Sequence, residues 1–190
     1  MNEQSQGTED TNQASGCMRI GCMNVRGWGL GKHEDVCKEL QEWKFDVVGI
    51  TETHLRNDLP MADCEYEMIA KGRKKQETLG GGVAFLHRKE RNFKVEEIDV
   101  GSCASSEDVL AVRIECMNKH GRPESMIMVV VYMTVEGNRA ARENSRKYDI
   151  LKRIVREYQR ERVIVMGDMN AHIGILGEQV NIFFDIYTVQ

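Results

Sequence analysis

Three apolar runs in this chain end in side chains able to hold a metal ion or move a proton. Val163-Ile164-Val165-Met166 enters Gly167-Asp168-Met169-Asn170, which sets a carboxylate and a carboxamide two residues apart. Phe45-Asp46-Val47-Val48-Gly49-Ile50 enters Thr51-Glu52-Thr53-His54, and a run that begins at Met18 reaches Asn24. Polar groups at the mouth of a buried strand must find partners or a ligand, because leaving them buried and unpaired is costly. If the three strands lie side by side in one orientation, Asn24, Glu52, Asp168 and Asn170 meet on one rim. A hard divalent cation such as Mg2+, or Mn2+ in its place, takes oxygen ligands, so Glu52 is its natural anchor and Asn24 an outer partner. The cation would neutralise charge on a phosphate and its leaving oxygen. Asp168 would orient or deprotonate the attacking water, and Asn170 would donate an amide hydrogen bond to the phosphate. These residue types in this pattern suit metal-assisted cleavage of a phosphodiester.

The elements that must position those side chains follow from periodicity. Strands are expected at residues 18–25, 45–50, 66–70, 82–87, 93–100, 109–116, 126–133 and 162–167. The turn His120-Gly121-Arg122-Pro123 makes a hairpin of the sixth and seventh. A short helix follows the glycine-rich turn Gly27-Trp28-Gly29-Leu30-Gly31. It carries Val36, Leu40 and Trp43 on one face, with Glu34 and Asp35 well placed at its positive N-terminus. A long helix spans residues 139–160, with Tyr148, Leu151, Ile154, Val155 and Tyr158 on one stripe. Many strands and few helices predict a layered α/β sandwich, not a doubly wound sheet in which strand and helix alternate.

Length and composition bound the reading. A chain of 190 residues, 41% hydrophobic and 29% charged, suits one globular domain with a real core. Residues 1–16 are polar and acidic, which predicts a disordered tail and shows no secretory leader. No apolar run approaches the ~20 residues a membrane span requires. The protein is therefore expected inside the cell, nuclear or cytoplasmic, with no membrane partner. The net charge is −4, and Glu3, Glu9 and Asp10 of the tail supply most of it. A nearly neutral body leaves nucleic-acid contact to local patches. Six cysteines without C-x-x-C spacing predict reduced core thiols and no zinc site.

Four segments then carry a family resemblance. Ile20-Gly21-Cys22-Met23-Asn24-Val25-Arg26, Thr51-Glu52-Thr53-His54-Leu55, Val130-Val131-Tyr132 and Gly167-Asp168-Met169-Asn170-Ala171-His172 occur in the order seen in the endonuclease/exonuclease/phosphatase superfamily. The wording is most similar to the endonuclease domains of non-LTR retrotransposons, which accompany reverse transcriptases, and to craniofacial development protein 2-like products. The resemblance covers residues 18–177 and implies the deoxyribonuclease I-like α/β sandwich. It also implies a Mg2+-dependent endonuclease that nicks DNA. It makes Glu52 the metal ligand and Asn24 part of the metal and phosphate site. Tyr132 would contact the scissile phosphate or help position the nucleophile, Asp168 would activate the nucleophile, and Asn170 would touch the phosphate. The superfamily usually has Pro soon after that tyrosine, where this chain has Met133-Thr134.

The superfamily also places a Ser-Asp-His-type motif beyond the Gly-Asp-x-Asn segment, and nothing after Gly177 matches it. The resemblance therefore implies a domain over residues 17–177, incomplete at its C-terminal side, and a divergent tail over 178–190 that is β-prone at 182–189. It implies that most of the ancestral activity is lost with that motif. Two other readings stand beside the endonuclease: a catalytically dead remnant serving as an interaction module, and a phosphatase of the same superfamily.

Plainer roles apply at each position. Asn24 is also a good turn residue, Tyr132 a good half-buried strand aromatic, and Asp168 with Asn170 a good Asx turn. His54 and His172 read as packing residues near the rim. Gly80-Gly81-Gly82 leads into a strand with no following Gly-Lys-Ser/Thr, so it reads as strand entry. Lys71, Arg73, Lys74 and Lys75, with Arg88, Lys89 and Arg91, either flank a DNA backbone or form a solvated hairpin. Arg139, Arg142, Arg146, Lys147, Lys152 and Arg153 of the long helix are expected to face solvent.

Overall fold

The structure, a computed structural model, describes residues 18–29, 32–55, 65–73, 80–91, 93–101, 107–118, 120–135 and 138–170. Among these residues, eight strands and two α-helices occur in the order β1 (Ile20–Asn24), α1 (Lys32–Trp43), β2 (Val47–Thr51), β3 (Tyr66–Lys71), β4 (Val83–Arg88), β5 (Lys94–Ile98), β6 (Val109–Met117), β7 (Pro123–Tyr132), α2 (Asn138–Glu157) and β8 (Arg162–Asp168). They form two four-stranded sheets, ordered β1-β2-β4-β3 and β5-β6-β7-β8. The layered α/β sandwich expected from the strand pattern is the architecture found. The N-terminal tail, His172, Lys74 and Lys75, and the segment 178–190 lie outside the described residues. No helix among those described is long and apolar enough to cross a membrane.

Alternation along the strands sorts side chains into three apolar layers. Between the sheets, Val47, Val83 and Phe85 of the first meet Leu110, Val112, Ile114, Met126, Met128 and Val130 of the second. Outside the first sheet, Val36, Cys37 and Leu40 of α1 cover Val48, Ile50 and Leu86. Outside the second, Ile150 and Ile154 of α2 cover Val109, Ala111, Ile127 and Val129. Burying a side chain such as Leu40, fully enclosed here, contributes about 1.5–3 kcal/mol. Gly49 lets the sheets close up near the rim. A Cβ there would sit 2.6 Å from Met166 Sδ and 3.2 Å from Val130 Cγ2, both across the interlayer.

Several expectations are corrected by packing. Trp43 is 62% exposed, because the chain turns at Lys44 (φ 53) directly after α1 and Phe45 packs on the core instead. Tyr148 and Val155 are exposed, whereas Ile150 and Ile154 are buried. The buried stripe of α2 is thus rotated toward Lys147, which is 1% exposed and does not face solvent. A pattern search that scores every lysine as polar misses that register. The run 163–166 is half-buried rather than buried, since β8 is an edge strand among the described residues. Cys22 and Cys116 are free thiols, but Cys37 is disulfide-bonded, against the expectation of reduced thiols throughout.

Candidate active site

Topology brings the strand ends together. β1 pairs parallel with β2, setting Asn24 against Thr51, and β7 pairs parallel with β8, setting Tyr132 against Asp168. The two parallel pairs sit across the sandwich from each other. Asn24 Nδ2 donates to Asp168 Oδ2 at 2.8 Å, bridging the sheets. The Tyr132 hydroxyl lies near enough to the Glu52 carboxylate and the Asn170 carboxamide for both to act on its proton affinity. Asn170 N donates to Asp168 Oδ1 at 3.0 Å, closing an Asx turn. All five residues singled out from sequence therefore come together at one rim: hydrogen bonds join Asn24, Asp168 and Asn170, and Tyr132 and Glu52 stand beside them. The turn geometries foreseen as plain roles are present as well: Asn24 Oδ1 accepts from Arg26 N at 3.0 Å.

The backbone around these residues is strained. Arg26 (φ 48), Glu52 (φ 54), His54 (φ 52) and Asn170 (φ 42) adopt left-handed conformations, and all four stand at the rim. L-residues other than Asn and Gly avoid this region, so the surrounding bonds must hold them there. Those bonds are visible. Gly27 N donates to Glu52 O at 2.6 Å, Trp28 N to Thr53 O at 2.7 Å, and His54 N to Gly81 O at 2.9 Å. The three glycines 80–82, each with positive φ, lead into β4 and support the Glu52 segment, accepting from Thr53 N and His54 N. Gly167 (φ 142) lies so close to β7 that a Cβ would collide with the Val131 carbonyl. The glycine before Asp168 is thus required by the backbone.

Electrostatics follow from burial among carboxylates. Burial and the neighbouring Glu52 carboxylate push the Tyr132 pKa up to about 12. Tyr132 is therefore a phenol, a hydrogen-bond donor, throughout the neutral range. Burial first and the Asp168 charge second push the Cys22 thiol up to about 11. His54 Nε2 stands 3.8 Å from Glu52 Oε2, with its side chain 40% exposed.

The sequence did not reveal what lies beneath Tyr132. Asp108 accepts from Arg73 Nε at 2.9 Å, Gly82 N at 3.0 Å and Lys147 Nζ at 2.7 Å. Arg73 is thus committed to a buried ion pair rather than to a DNA backbone. Arg88 and Arg91 are at the other end of the sandwich. Register sets Arg88 against Tyr66 while Lys71 stands opposite Val83, and Val83 pairs with Thr51 at the rim. Arg88 Nη2 donates to the Tyr66 hydroxyl and Arg91 Nε to Asp46 Oδ1. Lys71 and Arg73 thus stand at the rim end of the sandwich and Arg88 and Arg91 at the opposite end, separated by the length of β3 and β4.

Two packed sheets flanked by helices, with this rim at the ends of their parallel pairs, define the class: the endonuclease/exonuclease/phosphatase fold, that of deoxyribonuclease I. The endonuclease domain of TRAS1, a telomere-specific non-LTR retrotransposon, matches with a TM-score of 0.59 at 16% identity, over 82% of this chain and 61% of that one. The catalytic domain of Xenopus laevis APE2 matches with a TM-score of 0.61 at 14% identity, over 81% and 59%. D. rerio TDP2, complexed with single-strand DNA product, matches at 0.54 and 16% identity, over 82% and 62%. The chain thus spans about three fifths of the length of these solved structures. No family model matches the sequence, and no curated protein does. At these identities the likeness is one of fold.

Proposed function

We propose that the rim is a Mg2+-dependent phosphodiesterase site of the retrotransposon-endonuclease kind, built to nick one strand of DNA, of which this chain carries the part described above. The observation that carries the reading is the convergence itself: five side chains, drawn from the ends of β1, β2, β7 and β8, meet at one strained rim. The likeness to a retrotransposon endonuclease and to a protein crystallised with a DNA product supports it at the level of fold.

The donor set fits a hard cation. Glu52 offers carboxylate oxygens and Asn24 a carboxamide oxygen, and Mg2+ or Mn2+ takes such ligands while keeping several waters. Among the described residues no group of three or more His, Cys, Asp or Glu side chains is placed to hold a metal ion. When bound, the cation would draw charge from the phosphate and its leaving oxygen. Asp168 orients the attacking water and accepts its proton, and the Asn24 amide holds the carboxylate at the angle for this. Tyr132, protonated at neutral pH, donates its hydroxyl hydrogen to a phosphate oxygen. Asn170 gives one amide hydrogen to Met133 O at 2.6 Å, and the other, now facing Tyr132, is the one available to the phosphate.

Nicking of supercoiled plasmid with Mg2+ or with chelator tests the reading. Wild type should nick only with the metal, and Glu52→Ala should lose more than about 100-fold of that rate, beyond the usual loss from a supporting residue. Equal nicking by the two proteins would refute the proposal. Phosphate release from inositol phosphates without nicking would assign the rim to a phosphatase.

A further inference from the structure

Helix α2 does more than cover the second sheet, because its first half holds the segment that leaves β7. Asn144 Oδ1 accepts from Thr134 N at 2.9 Å, and Asn144 Nδ2 donates to Thr134 O at 2.9 Å. One turn on, Lys147 Nζ donates to Tyr132 O at 2.8 Å, to Thr134 Oγ1 at 3.1 Å and to Asp108 Oδ2 at 2.7 Å. Those three bonds use every hydrogen an ammonium has. The same Nζ lies 5.8 Å from the centroid of the Tyr132 ring, and Lys147 is 1% exposed.

Stability alone does not call for a lysine there. Lys147 continues the stripe of Ile150 and Ile154, and a buried ion pair is often no more stabilising than apolar side chains of similar volume. The charged solution supplies direction. An aliphatic side chain would fill the space and leave the Tyr132 carbonyl free to shift, whereas three hydrogen bonds from one fixed point do not. That point is itself anchored, since Asp108 is tied to Arg73 on one side and to Gly82 N on the other.

We propose that Lys147, seated on Asp108, is a positioning residue that sets the Tyr132 side chain at the rim. The inference rests on the reading of Tyr132 as part of the phosphodiesterase site. Lys147→Met keeps much of the side-chain volume and removes all three bonds. Plasmid nicking by this variant should show kcat about 10–100-fold lower, the usual loss for a supporting residue, with KM within about twofold. In the Tyr132→Phe background the same substitution should change kcat by less than about twofold, because the group through which it acts is already gone. A merely structural lysine would instead lower kcat by the same factor in both backgrounds, and that result overturns the proposal.

A second readout needs no activity. With ring-13C tyrosine, the signal lost in Tyr132→Phe is that of Tyr132. Lys147→Met should move it while leaving that of Tyr66, at the far end of the sandwich, in place. An unmoved Tyr132 signal overturns the proposal whether or not the protein nicks DNA. A moved signal in a protein that does not nick sustains the positioning role and refutes the enzymatic one. Should the single variant fail to fold, Lys147→Met combined with Asp108→Asn removes both charges of the pair and carries the same two measurements.

Discussion

Replacing Asp108 by asparagine probes the network under the rim most sharply. The carboxylate side chain is 4% exposed, facing Lys147 at 1% and Arg73 at 14%. Asparagine keeps the volume but cancels the only negative charge among the three. Lys147 would retain Tyr132 O and Thr134 Oγ1 as acceptors and lose its counter-charge. Arg73, less enclosed, can turn part of its guanidinium toward water. Removing one partner of a buried pair costs about 3–5 kcal/mol, and the partial relief at Arg73 places this case near the lower end, about 3 kcal/mol. With a urea m-value of about 2 kcal/mol/M, the midpoint falls by about 1.5 M. A loss below about 1 kcal/mol would refute the account.

The same residue predicts a pH dependence. Burial alone would raise the Asp108 pKa, but the Arg73 hydrogen bonds, the Lys147 and Arg73 charges and the Gly82 N–H together hold it below the usual carboxylate range. A folded value below the unfolded one means that the stabilisation is complete above the unfolded pKa of about 4. It is then lost as pH falls through the folded value. Wild type should therefore shed this contribution in acid, and Asp108→Asn should show a shallower acid profile. Parallel profiles would show that Asp108 is not held in its charged form.

Two further outcomes follow from the geometry of the rim. Gly167→Ala forces a Cβ into the Val131 carbonyl at a backbone angle side chains avoid, which should cost about 2–5 kcal/mol and lower the melting temperature by about 5–15 °C in calorimetry. Cys22, with its thiol raised to about 11, should remain largely unalkylated by iodoacetamide at pH 8 in the native protein, as peptide mass mapping would show, and should react once urea is added.

The candidate residues of the rim were legible because strands announce themselves locally. A run such as 45–50 declares a buried strand by its own composition, and the polar residues that end such runs mark the lip. Strand positions, the two helices and the hairpin across Gly121 rest on the same near-neighbour signals. Asn24, Glu52, Tyr132, Asp168 and Asn170 could be singled out because each follows or closes one of those runs. That they share a rim depends on β1∥β2 and β7∥β8 pairing and on how the two sheets stack. No local pattern specifies stacking.

What only the tertiary structure decided concerns charges whose partners are distant in sequence. Lys147 looks like one more cation on a basic helix until Asp108, 39 residues away, takes it into the core. Arg73 looks like part of a basic cluster until the same carboxylate, 35 residues away, claims it. Arg88 and Arg91 look adjacent to that cluster, yet antiparallel pairing of β3 with β4 sends them to the opposite end. Local composition reports whether a segment can be buried. Which charges go in with it is settled by contacts that exist only once the sheets have packed, because a buried charge is tolerable only beside its partner.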